Sequence, residues 1–216
     1  MGVSASKRRR PATVLPRVLL APFLGILLAA SLPVAPACAQ GTVTVAMTAG
    51  DIPITTGIPD QGGEGARFVG YNLYDALINW DLSRTDRPAE LKPGLAESWT
   101  IDPANPRRWI FHLRHGVTWH DGCPFVADDV LWNMSRVMDS RSPQFDAMQF
   151  ALARVYLTNV AGVEKVDDFT VAISTNHVDS LFPYQINQVL LVSRCRLTEL
   201  HNDNVAYAMH PSGTGP

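Results

Sequence analysis

The stretch that decides the fold is residues 109–138, which read WIFHLRHGVTWHDGCPFVADDVLWNMSRVM. Trp109, Phe111 and Leu113 fall on one face of an extended chain, and the residues between them fall on the other. This period of two residues is typical of a half-buried strand. His115-Gly116 interrupts the pattern. The sequence therefore predicts that the strand ends at a turn there.

The second half of the stretch predicts a turn followed by a helix. Asp121-Gly122 is a turn signal, and apolar residues recur at helical spacing after Pro124. Asp128 and Asp129 fall in the first helical turn, where the positive end of the helix dipole stabilises a carboxylate. The apolar positions of this predicted helix are Val126, Val130, Met134 and Val137.

A shorter motif upstream, Gly94-Leu95-Ala96-Glu97-Ser98-Trp99, completes the pattern. Together the two motifs resemble the signature region of the extracellular solute-binding proteins of family 5, the peptide and nickel receptors of ATP-binding-cassette importers. Cys123 and Val126 depart from the family pattern, since small polar residues, usually Thr or Ser, are expected there. Val126 cannot cap the helix, because a valine side chain accepts no hydrogen bond.

The resemblance implies an α/β fold of mixed α+β type, the two-lobe class II fold of periplasmic binding proteins. It implies the start of lobe 1 at 40–71, an accessory domain at 72–200 and a return to lobe 1 at 201–216, after a signal peptide at residues 1–39 that the residues of the leader themselves predict. Full members of the family are more than twice as long. We therefore expect this chain to be a fragment that holds the N-terminal part of lobe 1 and the accessory domain.

The first 39 residues have the order of a secretory signal peptide, with basic residues first, then an apolar run, then small residues. Cleavage is predicted after Ala39. Pro22 and Gly25 interrupt the apolar run, which argues against a membrane anchor. Lipidation at Cys38 is the weaker alternative, and Arg8-Arg9-Arg10 leaves the twin-arginine route open. We expect the mature protein in the periplasm.

The charge balance changes when the leader is removed. The 216-residue chain has 18 basic and 20 acidic residues, and the leader holds five of the basic ones and none of the acidic ones. The cleaved chain therefore has a net charge of −7. An acidic protein repels phosphate backbones, so we expect no nucleic-acid partner.

Two cysteines, Cys123 and Cys195, stay in the mature chain. In an oxidising compartment they could pair, or they could be two separate small apolar residues. Cys195 follows an apolar segment, and nothing in the sequence fixes its distance from Cys123. We interpret them as unpaired.

The resemblance places the ligand cleft beside the predicted first strand, residues 42–47, and the Gly- and Pro-rich loop at 48–65. A loop of this length is usually functional or disordered. A helical residue, Tyr71, and the Gly-Thr-Gly motif near the end of the chain are further candidates. The residues predicted to contact ligand are Asp51, Ile52, Pro53, Ile54, Thr55, Thr56, Tyr71, Gly213, Thr214 and Gly215.

Periodicity predicts the remaining elements. An apolar stripe predicts a helix that begins at residue 68 and runs to Ile78-Asn79-Trp80. Turn signals at 102–106 and at Asp167-Asp168 predict two hairpins. The other predicted elements are helices at 145–157 and 180–187 and a buried strand at 189–193.

Metal-ligating residue types crowd together in the central stretch. Strand alternation and turns place them on different faces, so the sequence predicts no shared metal site. The residues concerned are His112, His115, His120, Asp121 and Cys123.

The sequence also predicts no enzyme. It contains no nucleophile elbow, no zinc-protease helix and no phosphate loop. The carboxylate pairs Asp128-Asp129 and Asp167-Asp168 are assigned to a helix start and a hairpin turn.

The resemblance implies a periplasmic receptor that delivers peptides to the permease of an ATP-binding-cassette importer, as a monomer and without a cofactor. A metal- or haem-binding receptor of the same fold and a sensory domain without a transporter are the alternatives. Because the opposing lobe is not in this sequence, we expect the chain by itself to fold at least partly and to bind peptides weakly.

Overall fold

The computed structural model describes Thr44 and residues 70–215. Within this part of the chain, the strands form a two-stranded sheet and a four-stranded antiparallel sheet. The elements in chain order are α1 (Tyr71–Leu73), β1 (Ile78–Asp81), β2 (Glu90–Pro93), β3 (Ala96–Asp102), β4 (Asn105–Leu113), α2 (Ala127–Met138), α3 (Ala147–Tyr156), β5 (Val160–Asp167), β6 (Thr170–Thr175), α4 (Phe182–Ile186), α5 (Arg194–Glu199) and α6 (Asn204–Met209).

Strand β4 is an inner strand of the larger sheet, whose order is β3-β4-β6-β5. It pairs antiparallel with both neighbours, so that Trp109 lies opposite Ile101 of β3 and Ile173 of β6. Phe111 and Leu113 are buried on the same face as Trp109. The predicted alternation is therefore confirmed.

Helix α2 completes the core over this sheet. Val130, Met134 and Val137 belong to the same hydrophobic cluster as Trp109 and Phe111. Each fully buried side chain of this size stabilises the fold by about 1.5–3 kcal/mol. The helix that the motif predicted is thus confirmed, and its apolar face is the one that packs.

The start of α2 shows how the chain compensates for the missing cap. Val126 is the N-cap residue and makes no side-chain cap, as the sequence predicts. Its own N–H donates instead to the carboxylate of Asp129, at 2.9 Å. This is the reciprocal half of a capping box.

The predicted helix over residues 68–80 is wrong at its end. In the part that the structure describes, the helix ends at Leu73, and the last predicted positions, Ile78-Asn79-Trp80, belong to strand β1. The Ala76 carbonyl accepts a hydrogen bond from the Leu95 N–H at 2.9 Å, so this segment extends along the chain that leads into β3. Pairing between distant segments outweighs the local helical period here.

The predicted strand at residues 189–193 is buried, as expected, but it is not a strand. The Asn133 carboxamide takes the place of a neighbouring strand, because it accepts from the Val192 N–H and donates to the Val192 carbonyl, both at 2.9 Å. Leu191 N–H donates to the Asp75 carbonyl at 3.0 Å. The buried backbone groups are therefore satisfied singly rather than by a ladder.

The other predicted elements in the described region are confirmed as the two hairpins β3-β4 and β5-β6 and the helices α3 and α4. The predicted signal peptide, the first strand apart from Thr44, and the loop at 48–65 lie outside the described residues. The domain boundaries stay predictions. Among residues 70–215, no helix combines the length and the apolar composition that a bilayer crossing requires.

Candidate functional site

The predicted ligand residues fall into two groups. Residues 51–56 lie outside the part of the chain that the structure describes. Tyr71 is half-buried in α1, and the structure brings the Gly-Thr-Gly segment next to that helix. Gly215 N–H donates to the Leu73 carbonyl at 3.1 Å.

We call the region where these segments meet the return junction. It contains four segments that are distant in sequence, and its last segment is the one that the sequence assigned to the return into lobe 1. The segments are residues 72–75, 119–123, 191–195 and 207–215.

Two glycines let the last segment approach α1 closely. A Cβ atom on Gly213 would overlap the backbone carbonyl of Leu73, and one on Gly215 would lie 2.5 Å from the carbonyl oxygen of Asn72. Any other residue would push the two backbones apart. The Gly-Thr-Gly motif therefore has a steric cause in this fold.

Thr214, between the two glycines, adds a side-chain contact. Its hydroxyl donates to the Asp75 carboxylate at 2.9 Å, and these two residues are separated by 139 positions. Thr214 thereby anchors the segment to the residues that follow α1.

The imidazole of His120 holds the same segment from the other side. Gly213 N–H donates to Nδ1 at 3.3 Å, and Nε2 lies 2.8 Å from the Gly215 carbonyl oxygen. A carbonyl can only accept, so Nε2 carries the proton and Nδ1 is the acceptor. The backbone adds a third link, from His120 N–H to the Gly213 carbonyl at 2.9 Å. His120 thus holds residues 213–215 through both ring nitrogens and its backbone N–H.

Asp121 joins three segments of the junction. Its carboxylate accepts from the Ser193 hydroxyl at 2.5 Å and from the Cys123 N–H at 3.0 Å, while its own N–H donates to the Ser212 hydroxyl at 3.1 Å. Partial burial raises the pKa of Asp121, whereas its hydrogen bonds and the charge of Arg196 lower it. The lowering effects are larger together, so the net shift of the pKa is downward.

Ser212 is buried, and its backbone N–H and carbonyl groups form hydrogen bonds within the junction. The Tyr207 hydroxyl donates to the Ser212 carbonyl at 2.5 Å and accepts from the Ser212 N–H at 3.1 Å. Ser193 N–H also donates to the Ser212 carbonyl at 3.1 Å. Burial raises the pKa of Tyr207, which stays a neutral donor.

Cys123 and Cys195 form a disulfide within the junction, with their Cα atoms 6.5 Å apart. The interpretation of the two cysteines as unpaired is therefore wrong. The separation of 72 positions between them hides the contact from sequence patterns, because the fold of the whole region brings the turn at 119–123 to the start of α5.

A buried ion pair, which the sequence did not predict, lies beside the junction. The Arg136 guanidinium is almost completely buried and donates to Asp146 at 2.7 Å. Asp146 also caps α3, because it accepts from the N–H groups of Met148 and Gln149. Burial raises the pKa of the neighbouring Tyr74 strongly, and its interaction with Tyr207 raises it further.

The histidines do not converge on one site. His112 is exposed on β4, His115 stacks on Phe169 with ring centroids 3.9 Å apart, and His120 clamps the last segment. Within the described residues, no group of three or more His, Cys, Asp and Glu side chains could hold a metal ion.

The paired carboxylates also diverge. Asp128 lies on the surface and pairs with Lys165 at 3.0 Å, whereas Asp129 is buried and pairs with Arg194 at 2.9 Å. This confirms that the two neighbours point to different sides of α2.

The arrangement as a whole holds polypeptide segments together. Polar groups of residues 213–215 form hydrogen bonds with His120, Asp75 and Leu73 of the same chain. A ligand contact by Tyr71 or by the Gly-Thr-Gly segment stays a prediction.

Similar proteins place these features in a family. The family model described as bacterial extracellular solute-binding proteins, family 5 Middle, matches residues 90–216. Di/tripeptide-binding protein 4 of Pseudomonas aeruginosa is 31% identical over 165 residues, which cover 67% of this chain and 29% of that protein. Heme-binding protein A of Haemophilus influenzae is 32% identical over 120 residues, which cover 51% of this chain and 21% of that protein.

A solved structure gives the same result for the fold. The periplasmic binding protein DppA of Helicobacter pylori, in complex with the peptide STSA, has a TM-score of 0.61 at 27% identity. The match covers 72% of this chain and 32% of that one.

The chain spans between a fifth and a third of the length of these three proteins. Its fold is α/β of mixed type and corresponds to part of a class II periplasmic binding protein, as the resemblance implied. The family model covers more than half of the chain. This chain belongs to the bacterial extracellular solute-binding proteins of family 5.

Proposed function

We propose that this chain is part of a periplasmic receptor that binds di- and oligopeptides and delivers them to an ATP-binding-cassette importer. The observation that carries the proposal is the similarity of this chain, over 72% of its length, to a periplasmic binding protein solved with a bound peptide. The identity of 31% with a di/tripeptide-binding protein supports the same ligand class. The receptor acts by binding and release, without a covalent step.

The mechanism follows from the two-lobe fold. An extended peptide offers backbone N–H and C=O groups, so a receptor can hold it by main-chain hydrogen bonds while wide pockets accept different side chains. The ligand stabilises a closed form of the two lobes, and the permease recognises that form. In this proposal the receptor is a monomer, and the return junction sets the path by which the chain leaves the accessory domain.

Export to the periplasm is part of the proposal. The first 39 residues have the composition of a cleaved leader. A disulfide between Cys123 and Cys195 fits an oxidising compartment, because cytosolic thiols are kept reduced.

Haem is the second candidate ligand. Heme-binding protein A of Haemophilus influenzae is 32% identical to this chain, which is as similar as the peptide-binding relative. The two identities differ by one percentage point and therefore do not separate the two ligand classes. Haem therefore has to be tested beside peptides.

Deletion of the gene tests the ligand class in the organism itself. We expect the deletion strain to lose growth on di- and tripeptides as the sole nitrogen source, and a plasmid copy of the gene to restore it. Growth on free amino acids is the control. Loss of growth on haemin as the iron source, with peptide use unchanged, would instead establish the haem receptor.

A further inference from the structure

Two cross-links join the turn at residues 119–123 to the start of α5. One is the hydrogen bond from the Ser193 hydroxyl to the Asp121 carboxylate, and the other is the disulfide between Cys123 and Cys195. The partners are spaced by two residues on both sides. The covalent link therefore lies directly beside the polar one.

The turn at 119–123 is itself tight, so its two ends move together. Trp119 N–H donates to the Cys123 carbonyl, and Gly122 N–H donates to the Trp119 carbonyl, both at 2.8 Å. His120 lies inside this turn. A covalent bond at Cys123 thus fixes the position of the imidazole three residues away.

The last described segment depends on these same elements. Gly213 and Gly215 contact His120, and Ser212 contacts both Asp121 and Ser193. Every one of these partners lies within three residues of one of the two cysteines. The disulfide therefore ties together two of the elements that hold residues 212–215 in place, beside the direct hydrogen bonds from Thr214 to Asp75 and from Gly215 to Leu73.

We propose that the disulfide between Cys123 and Cys195 is a redox-sensitive cross-link that holds the return junction together. When the disulfide is closed, residues 212–215 are held on α1. When it is open, the turn and α5 separate and release that segment. The four-stranded sheet β3-β4-β6-β5, which we call the main sheet, stays folded. The chain would then complete its junction only after it reaches an oxidising compartment.

The redox step is an ordinary thiol–disulfide exchange. The two thiols give up two electrons and two protons and form one S–S bond. The oxidant is a disulfide-bearing protein of the compartment, which takes up the electrons and protons and becomes a dithiol. Its own S–S bond is the one that breaks.

Hydrogen exchange on the purified chain, with and without a thiol reductant, tests whether the disulfide holds the return junction together, and it needs no ligand. In the reduced protein we expect the amides of His120, Gly213 and Gly215 to exchange at least about tenfold faster, because local opening exposes them. The amides of Val171 and Ile173 in β6 should exchange at unchanged rates. Thiol titration before and after reduction counts the two cysteines in each state.

Variants separate the covalent link from effects of the reductant. C123S and C195S should each reproduce the faster exchange of Gly213 and Gly215 without any reductant, and reductant should then change nothing further. Equal exchange of these two amides in oxidised and reduced protein would overturn the proposal. Two free thiols in the protein purified from the periplasm, or an equal loss of protection in β6, would also overturn it.

Discussion

The main sheet and the return junction are held together in different ways. The sheet uses apolar side chains in register, such as Trp109 between Ile101 and Ile173. The junction uses hydrogen bonds and a disulfide between residues far apart, such as Thr214 and Asp75. Burial of a large side chain stabilises more than a single hydrogen bond does. We therefore expect damage to the sheet to unfold the molecule and damage to the junction to stay local.

Truncation of Phe111 should have the largest effect. Phe111 is completely buried in β4, and Phe111→Ala should lower the free energy of unfolding by about 3–5 kcal/mol, because it removes apolar contacts and leaves a cavity. Urea titration followed by circular dichroism measures this difference. Thr100→Ala on the exposed side of β3 is the control and should unfold close to wild type. A small effect of Phe111→Ala would break the contrast between the two regions.

Arg136 tests whether a polar group can matter as much as an apolar one. Arg136→Met removes one partner of the buried ion pair and leaves Asp146 without its countercharge. This should lower the free energy of unfolding by about 3 kcal/mol. The same urea titration measures it. The matched control is Arg141→Met, because Arg141 pairs with Asp139 on the surface and exposed pairs contribute little. Equal effects of the two substitutions would show that burial of the pair is unimportant.

Gly213 is the most sensitive position of the junction. A side chain there would overlap the Leu73 carbonyl. Gly213→Ala should therefore lower the free energy of local opening of residues 212–215 by about 1–3 kcal/mol. Hydrogen exchange measures this change and should become faster in residues 212–215. The control is Gly162→Ala in β5, where an added Cβ atom meets nothing within 4 Å. Loss of protection throughout β6 in Gly213→Ala would contradict a local effect.

Asp121 should show the smallest effect, and that effect should depend on pH. Its pKa is lowered in the folded state, so its stabilisation is present above the unfolded pKa of about 3.9 and is lost as pH falls through the folded pKa. Asp121→Asn should cost less than about 1 kcal/mol at pH 7, because solvent screens this carboxylate. Thermal unfolding from pH 7 to pH 3 measures the difference from wild type, which should narrow on acidification. A constant difference would show that the charge is irrelevant.

The two regions also differ in how far the sequence could predict them. Strand β4 and its hairpins were predictable, because alternation and turn signals act over a few residues. Cys123 and Cys195 are 72 positions apart, and His120 and Gly215 are 95 apart, so no local pattern connects them. The Gly-Thr-Gly motif is a local feature, and its two glycines permit the close backbone approach that the structure shows.

The same reasoning explains the other differences. The segment that leads into β1 has a helical period, but hydrogen bonds to the chain at residues 94–96 hold it extended. Residues 189–193 have the composition of a buried strand, yet the single side chain of Asn133 satisfies Val192. Arg136 and Asp146 could not be paired from the sequence, because a loop and two helix ends decide their distance.

The central claim is that the return junction opens independently of the main sheet. Native-state hydrogen exchange across a series of low urea concentrations tests it most directly. We predict that the amides of Ser193, Gly213 and Gly215 exchange through an opening that has a lower free energy than that of Val171 and Ile173 and depends little on urea. The same opening free energy and the same urea dependence for all five amides would contradict the claim.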